Sequence, residues 1–197
     1  MTLPNKLTII RIILVPILLL IYVFPYAKYG IYLPTYSVLG SNISLLNLIT
    51  LLIFGIASFT DYLDGRIARE NKLITTFGKF ADPIADKLLI NTILLLLADR
   101  GYITIVIPII MIWRDMIVDA IRLVAANKNK VIAASKYGKL KTASQMLGVV
   151  LLLLSNFPFS YLGIRVDLIV IVIATIVSLI SGFEYFWKNK DIILESI

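Results

Sequence analysis

The chain has 197 residues, 59% of them hydrophobic, a formal net charge of +7, and no cysteine or histidine. That excludes disulfides, thiolate nucleophiles, imidazole bases and Cys/His zinc sites, so any chemistry falls to carboxylates, Lys, Arg, hydroxyls or an oxygen-bound metal. A mean hydropathy of +0.93 and an apolar share above the roughly 45–50% of soluble domains point to a membrane chain.

Apolar residues gather in six runs, at 9–27, 43–60, 84–100, 102–126, 142–163 and 166–187. Each is close to the roughly 17–25 residues a helix needs to cross a hydrocarbon core about 30 Å thick. The linkers are too short for a separate soluble domain. The expectation is one all-α polytopic domain over 1–197 with six transmembrane helices, since lipid tolerates only backbones that satisfy their own hydrogen bonds. The first run follows Lys6 and Arg11 and is read as an uncleaved helix, with Asn5 and Thr8 in a short surface helix ahead of it. Pro16 and Pro108 are expected to kink the first and fourth helices. Asn47 and Asn91 are assigned to bonds between helices. Tyr22, Tyr26, Tyr29, Tyr32, Tyr185 and Trp187 are assigned to the membrane interfaces.

With six spans, both termini and the linkers after spans 2 and 4 share one side. That side carries fourteen basic residues (Lys6, Arg11, Arg66, Arg69, Lys72, Lys79, Lys87, Lys128, Lys130, Lys136, Lys139, Lys141, Lys188 and Lys190) against Lys28, Arg100 and Arg165 on the other. The positive-inside rule makes the richer side cytoplasmic. The basic excess is thereby assigned to anionic lipid, and no nucleic-acid partner is expected.

Between spans 2 and 3 lies DYLDGRIARENKLITTFGKFADPIAD, residues 61–86. If helix 2 runs on through Arg69, a turn of about 100° per residue sets Asp61, Asp64, Gly65 and Ala68 within an arc of about 100°, bordered by Arg69. Asp82 and Asp86 stack four apart at the start of helix 3. Asp82 suits an N-cap and Pro83 a first turn, or else the helix starts earlier and bends, bringing Gly78 onto the same face. Two such faces turned together gather four carboxylates, which cannot all ionise without counter-charge. Arg69, Lys79 and Lys87 can offset some of it. One or two hard divalent ions (Mg²⁺, Mn²⁺ or Ca²⁺) do so more completely, and a metal cluster at a membrane surface suits phosphoryl transfer.

Asp61-x2-Asp64-Gly65-x2-Ala68-Arg69-x8-Gly78-x3-Asp82-x3-Asp86 resembles the complete signature of the CDP-alcohol phosphatidyltransferases, with all eight positions present at the family's spacing. The resemblance implies transfer of a phosphatidyl or phosphoalcohol group from a CDP-linked donor to an alcohol, with release of CMP. It also implies Mg²⁺ or Mn²⁺, as a pair of ions, held by Asp61, Asp64, Asp82 and Asp86, with Asp86 also the general base. Asp64, Gly65, Ala68, Arg69 and Gly78 are implied at the cytidine nucleotide, and a homodimer is the family's usual state.

Three further stretches, LPNKLTIIR at the start, GKLKT at 138–142 and SGFEYFWKNKD near the end, resemble the bacterial phosphatidylglycerophosphate synthases of that family. They imply CDP-diacylglycerol as donor, glycerol 3-phosphate as acceptor and an active site facing the cytoplasm from the cell membrane. Arg114 and Arg122, two turns apart in span 4, can face one cavity and suit a phosphate. Lys139 and Lys141 open helix 5, and the resemblance draws Thr8 toward the same acceptor pocket. Against this, Asp115 and Asp119 can pair Arg114 and Arg122 within the helix, and Lys139 and Lys141 can be surface anchors. Cardiolipin, phosphatidylserine and phosphatidylinositol phosphate synthases remain alternatives within the family. An ion or solute transporter is the alternative outside it, although the acids sit at one membrane face rather than at midplane.

Overall fold

The computed structural model describes residues 2–70, 75–128, 132 and 135–194; within these, the side chains of Leu3, Ala68, Arg69, Thr76, Lys79, Phe80 and 192–194 fall outside the description. Six α-helices occur among the described residues: α1 (Leu3–Val23), α2 (Leu45–Glu70), α3 (Thr76–Asp99), α4 (Val106–Asn127), α5 (Lys136–Leu153) and α6 (Val166–Leu194). Lys72 and Lys130, two of the expected topology charges, lie outside the described residues.

Local polar caps, not hydropathy, decide where three of the helices begin. Ser44 Oγ accepts from Asn47 N–H at 3.1 Å, Thr75 Oγ1 from Gly78 N–H at 3.0 Å and Ser135 Oγ from Gly138 N–H at 3.0 Å. Each is a hydroxyl capping the third helical residue and satisfying an otherwise orphaned donor. The cap at Thr75 starts α3 well before Asp82, so Asp82 is not an N-cap and Pro83 lies inside the helix. The cap at Ser135 starts α5 six residues before the apolar run. That helix ends at Leu153 rather than 163, since Ser155 and Asn156 take left-handed φ of 50° and 67°. α1 is continuous from Leu3, so Asn5 and Thr8 belong to it and not to a separate surface helix. Pro108 is the third residue of α4, where the missing N–H costs no helical bond, so it is not a mid-helix kink.

The chain forms two compact units, residues 1–97 with 153–164, and 98–152 with 165–197. In the first, α1 packs on α2. Tyr22, Leu46 and Leu96 form a buried cluster against Ile21, Tyr26 and Leu33. Tyr22 is therefore a core residue, not an interfacial one: its ring fills the space between helices. This unit also holds an antiparallel hairpin that all-α reasoning missed, β1 (Thr35–Val38) with β2 (Ser41–Ser44), in register Thr35↔Ser44 to Val38↔Ser41. Its two-residue turn, Leu39–Gly40, has φ of 47° and 79°, the double left-handed geometry whose twist matches paired strands.

In the second unit α4 packs along α6. α6 is built inside out. Its buried face carries Ala174, Ser178 and Ser181 between the larger Ile171 and Tyr185, while Ile169, Ile173, Ile176, Ile180 and Phe183 are exposed. Small inward residues let helices approach, and large apolar residues face outward, as lipid contact requires. Among the described residues, three helices, α1, α2 and α6, are long and apolar enough to cross a membrane.

Gly148 in α5 shows how tight this packing is. A Cβ there would lie 2.9 Å from Ile171 Cδ1 and 3.3 Å from the Ile171 Cα, whereas one at Gly55 would meet nothing within 4 Å. Since backbone cannot step aside as a side chain can, Gly148→Ala is expected to destabilise the protein by about 1–3 kcal/mol. Gly55→Ala is expected to be neutral or slightly stabilising, and thermal unfolding of both variants in detergent checks the contrast.

Candidate active site

In the first unit one face of α1 holds the aspartates. Thr8 and Arg11 are three residues apart, hence on the same side of the helix, and both are 1% exposed. Arg11 Nη1 hydrogen-bonds Asp86 Oδ1 at 2.8 Å and ion-pairs Asp61 Oδ1 at 2.9 Å, while Nη2 donates to Asp64 Oδ2 at 2.8 Å. A buried guanidinium is tolerable in this setting only because carboxylates surround it. Thr8 Oγ1 donates to Asp82 Oδ1 and also lies 3.1 Å from the Pro4 carbonyl; its one proton serves one acceptor at a time. All four signature aspartates are thus bound to α1. They differ in access: the Asp64 side chain is 3% exposed, against 42% for Asp61 and 47% for Asp86. Asp64 is a closed anchor, while Asp61 and Asp86 keep an open side for a ligand.

Gly78 sits where a Cβ would lie 3.4 Å from Asn5 Oδ1 and 3.6 Å from Asp82 Oδ2. Asn5 Oδ1 in turn accepts from Thr75 Oγ1 at 2.8 Å, which ties the start of α1 to the cap of α3. Ala68 and Arg69 lie in α2, but their side chains lie outside the described residues, as does that of Lys79. Gly65 is half-buried one residue beyond Asp64.

Arg11 is the residue that sequence reasoning mistook for a topology charge. Two signals mark it: an Arg inside an apolar run requires a partner, and its spacing from Thr8 places a hydroxyl and a cation on one helix face. Among the described residues, no three acidic side chains stand close enough together to ligate one ion as they are; the guanidinium lies between them. The donors themselves suit a hard divalent cation: they are all oxygen, all acidic, and three of them already converge on a single positive group.

In the second unit Asp115 of α4 is buried between two cations. Lys141 Nζ donates to its two oxygens at 3.0 and 2.8 Å, and Arg114 Nη1 to Oδ1 at 2.9 Å. Arg114 Nη2 donates to Ser181 Oγ on α6, and Arg114 Nε is buried with no hydrogen-bond partner among the described residues. Gly182 makes room for this side chain, since a Cβ there would fall 2.9 Å from Arg114 Cγ. Arg122 Nε donates to Tyr185 Oη at 2.9 Å, with its Cζ 5.4 Å from the Tyr185 ring centroid. Tyr185 is 3% exposed, so it too is a core residue rather than an interfacial one. Arg114 and Arg122 therefore both reach α6 from one side of α4, as their spacing implies. Lys139 is exposed, unlike Lys141 two positions on, because residues two apart in a helix do not share a face. Asn47 of α2 is buried, and Asn91 Oδ1 of α3 is buried with no partner among the described residues.

Residues 1–180 match the family model described as CDP-alcohol phosphatidyltransferase. A Bacillus subtilis protein named CDP-diacylglycerol–glycerol-3-phosphate 3-phosphatidyltransferase is 38% identical over 96% of this chain and 95% of its own length. A Rickettsia typhi protein of the same name is 33% identical over 95% of this chain and 97% of its own. A third of that name, from Mycoplasma genitalium, is 45% identical over 60% of this chain and 51% of its own. With the signature complete on α2 and α3 and the match running nearly end to end, the chain belongs to the CDP-alcohol phosphatidyltransferase family.

Proposed function

We propose that the protein transfers the phosphatidyl group of CDP-diacylglycerol to sn-glycerol 3-phosphate, giving phosphatidylglycerophosphate and CMP, at the cytoplasmic face of the cell membrane. The observation that carries this is the set of four signature aspartates held on one face of α1, three of them on a single cation. The relatives' names support the donor and the acceptor. In this reading all six helices span the membrane, both termini are cytoplasmic, residues 1–197 form one polytopic catalytic domain, and the enzyme works as a homodimer.

Asp61, Asp64, Asp82 and Asp86 would hold a pair of divalent ions, Mg²⁺ or Mn²⁺. When bound, such ions neutralise charge on a diphosphate and make its phosphorus easier to attack. The chain's own residues do the rest. Asp86, half-exposed, accepts the proton of the acceptor hydroxyl as that oxygen attacks the β-phosphorus, and CMP leaves. No covalent enzyme intermediate is needed. Gly65, Ala68 and Gly78 leave space for the nucleotide, and Arg69 contacts its phosphates.

The acceptor phosphate is assigned to Arg114 and Lys141, flanked by Arg122 and with Lys139 at the aqueous edge. Two cations share one carboxylate there, so that contact set keeps a net positive charge. Arg114 Nε, without a partner among the described residues, is a further donor, and guanidinium forks match phosphate geometry. Thr8 is reassigned from the acceptor to orienting Asp82.

The test is product identity. Purified protein with Mn²⁺ or Mg²⁺ is offered CDP-diacylglycerol with glycerol 3-phosphate, serine, inositol phosphate and phosphatidylglycerol together. Phosphatidylglycerophosphate and equimolar CMP are expected. A dominant product from another alcohol would overturn the acceptor while leaving the family intact.

A further inference from the structure

Arg11 is placed oddly for a residue that serves only to anchor the N-terminal helix. It is 1% exposed, and its two terminal nitrogens take one oxygen each from Asp61, Asp64 and Asp86. Its Nε, equally buried, has no hydrogen-bond partner among the described residues. An orphaned buried N–H costs about 1–3 kcal/mol. The guanidinium is thus well held by its ends and poorly satisfied at its middle, a compromise rather than an optimum.

The carboxylates it pairs with are those proposed to hold a divalent ion. Asp61 Oδ1 and Asp86 Oδ1 are both spent on the single nitrogen Nη1. Each carboxylate gives Arg11 one oxygen and keeps the other, so what sets an ion against the guanidinium is charge: two cations at contact distance repel strongly where water is scarce. Without some cation the three carboxylates would repel one another instead.

We propose that Arg11 is a placeholder: it holds the aspartates together while the ion site is empty and is displaced from them when a divalent cation binds. This rests on the aspartates being the ion site, as proposed above. Displacement releases the guanidinium, with all its donors, on the same helix face and beside the open sides of Asp61 and Asp86. There it is available to an anionic group such as a diphosphate. The Arg is therefore an assembled-state device with two positions, one for each state of the carboxylates, and ion binding and Arg11 contact are coupled negatively.

The coupling is reciprocal, so it can be measured from the ion's side. Mn²⁺ binding to the purified full-length protein in detergent is followed by the free-ion electron paramagnetic resonance signal, with no substrate present, for wild type, Arg11→Gln and Arg11→Lys. Loss of the competing charge is expected to tighten Mn²⁺ binding in Arg11→Gln by roughly tenfold or more. Arg11→Lys, which keeps the charge but has no fork, falls between that variant and wild type. Thermal unfolding supplies a second readout: Arg11→Gln melts below wild type without the ion and gains more from saturating Mn²⁺. If Arg11→Gln folds only when Mn²⁺ is supplied during purification, the ion has replaced the missing cation, as expected. Unchanged or weaker Mn²⁺ binding in Arg11→Gln overturns the placeholder role. So does a variant that no Mn²⁺ concentration rescues beside an Arg11→Lys protein of wild-type affinity. Wild type binding no Mn²⁺ at all is a different failure, one that removes the metal site itself.

Discussion

Asp86→Asn is expected to slow CMP release by about 10²–10⁴-fold, the range that a positioned general base contributes. The substitution keeps shape and one hydrogen-bonding oxygen, so the contact to Arg11 Nη1 survives in weakened form. It removes the ability to take up a proton. Of the four aspartates, Asp86 is the best candidate base on access: its side chain is 47% exposed, whereas Asp64 is 3% exposed and Asp82 is tied to the Thr8 hydroxyl. Asp61 is nearly as open, at 42%, and is the necessary comparison. A residue acting only as an ion ligand loses activity that added Mn²⁺ restores. A base loses activity at saturating ion, and the ascending limb of the pH–rate profile goes with it. Asp61→Asn is therefore expected to be rescued in part by excess Mn²⁺ and Asp86→Asn is not. An Asp86→Asn enzyme that binds donor and ion yet turns over normally would remove Asp86 from the chemistry.

The parts of this site that could be read from the chain are those written in short-range spacing. Asp61, Asp64, Gly65 and Ala68 repeat at helical intervals, as do Asp82 and Asp86, and a helix carries such a pattern onto one face whatever surrounds it. Arg11 is different. Its hydrogen-bond partners Asp64 and Asp86 are 53 and 75 positions away, with Asp61 in the same distant stretch, and in sequence a single Arg in an apolar N-terminal run has the form of a topology signal. Tyr22 and Tyr185 were misassigned for a related reason. A tyrosine suits an interface and a core equally if its hydroxyl is met, and Arg122, which meets that of Tyr185, is 63 positions away. Helix ends were misjudged because hydropathy reports contact with lipid, whereas Thr75 and Ser135 set the starts of α3 and α5 by single hydrogen bonds outside the apolar runs. The hairpin at 35–44 is too short and too polar to register beside six long apolar runs, although the Leu39–Gly40 turn is its local cause.

Arg114→Gln and Lys141→Gln are each expected to raise KM for glycerol 3-phosphate by about 10- to 100-fold, the worth of one charged hydrogen bond to a phosphate. KM for CDP-diacylglycerol should hardly move, because that substrate is assigned to the aspartates. The competing explanation is that these cations exist only to neutralise Asp115, to which both are bound. The two accounts separate at Asp115 itself. Asp115→Asn strips the shared carboxylate from two buried cations, and breaking such a set from one side costs about 3–5 kcal/mol. A lower melting temperature is expected on either account. If the cations serve the acceptor, inorganic phosphate or glycerol 3-phosphate supplies the missing negative charge, and the melting temperature of Asp115→Asn rises with either anion more than that of wild type. If they serve Asp115 alone, the anions do nothing, and Arg114→Gln and Lys141→Gln lose stability without any change in acceptor KM. Double substitution sharpens the distinction. Asp115→Asn with Lys141→Met leaves one cation and no carboxylate, so stability recovers toward wild type on both accounts, but only in a phosphate-binding pocket does acceptor affinity stay low while the fold is restored.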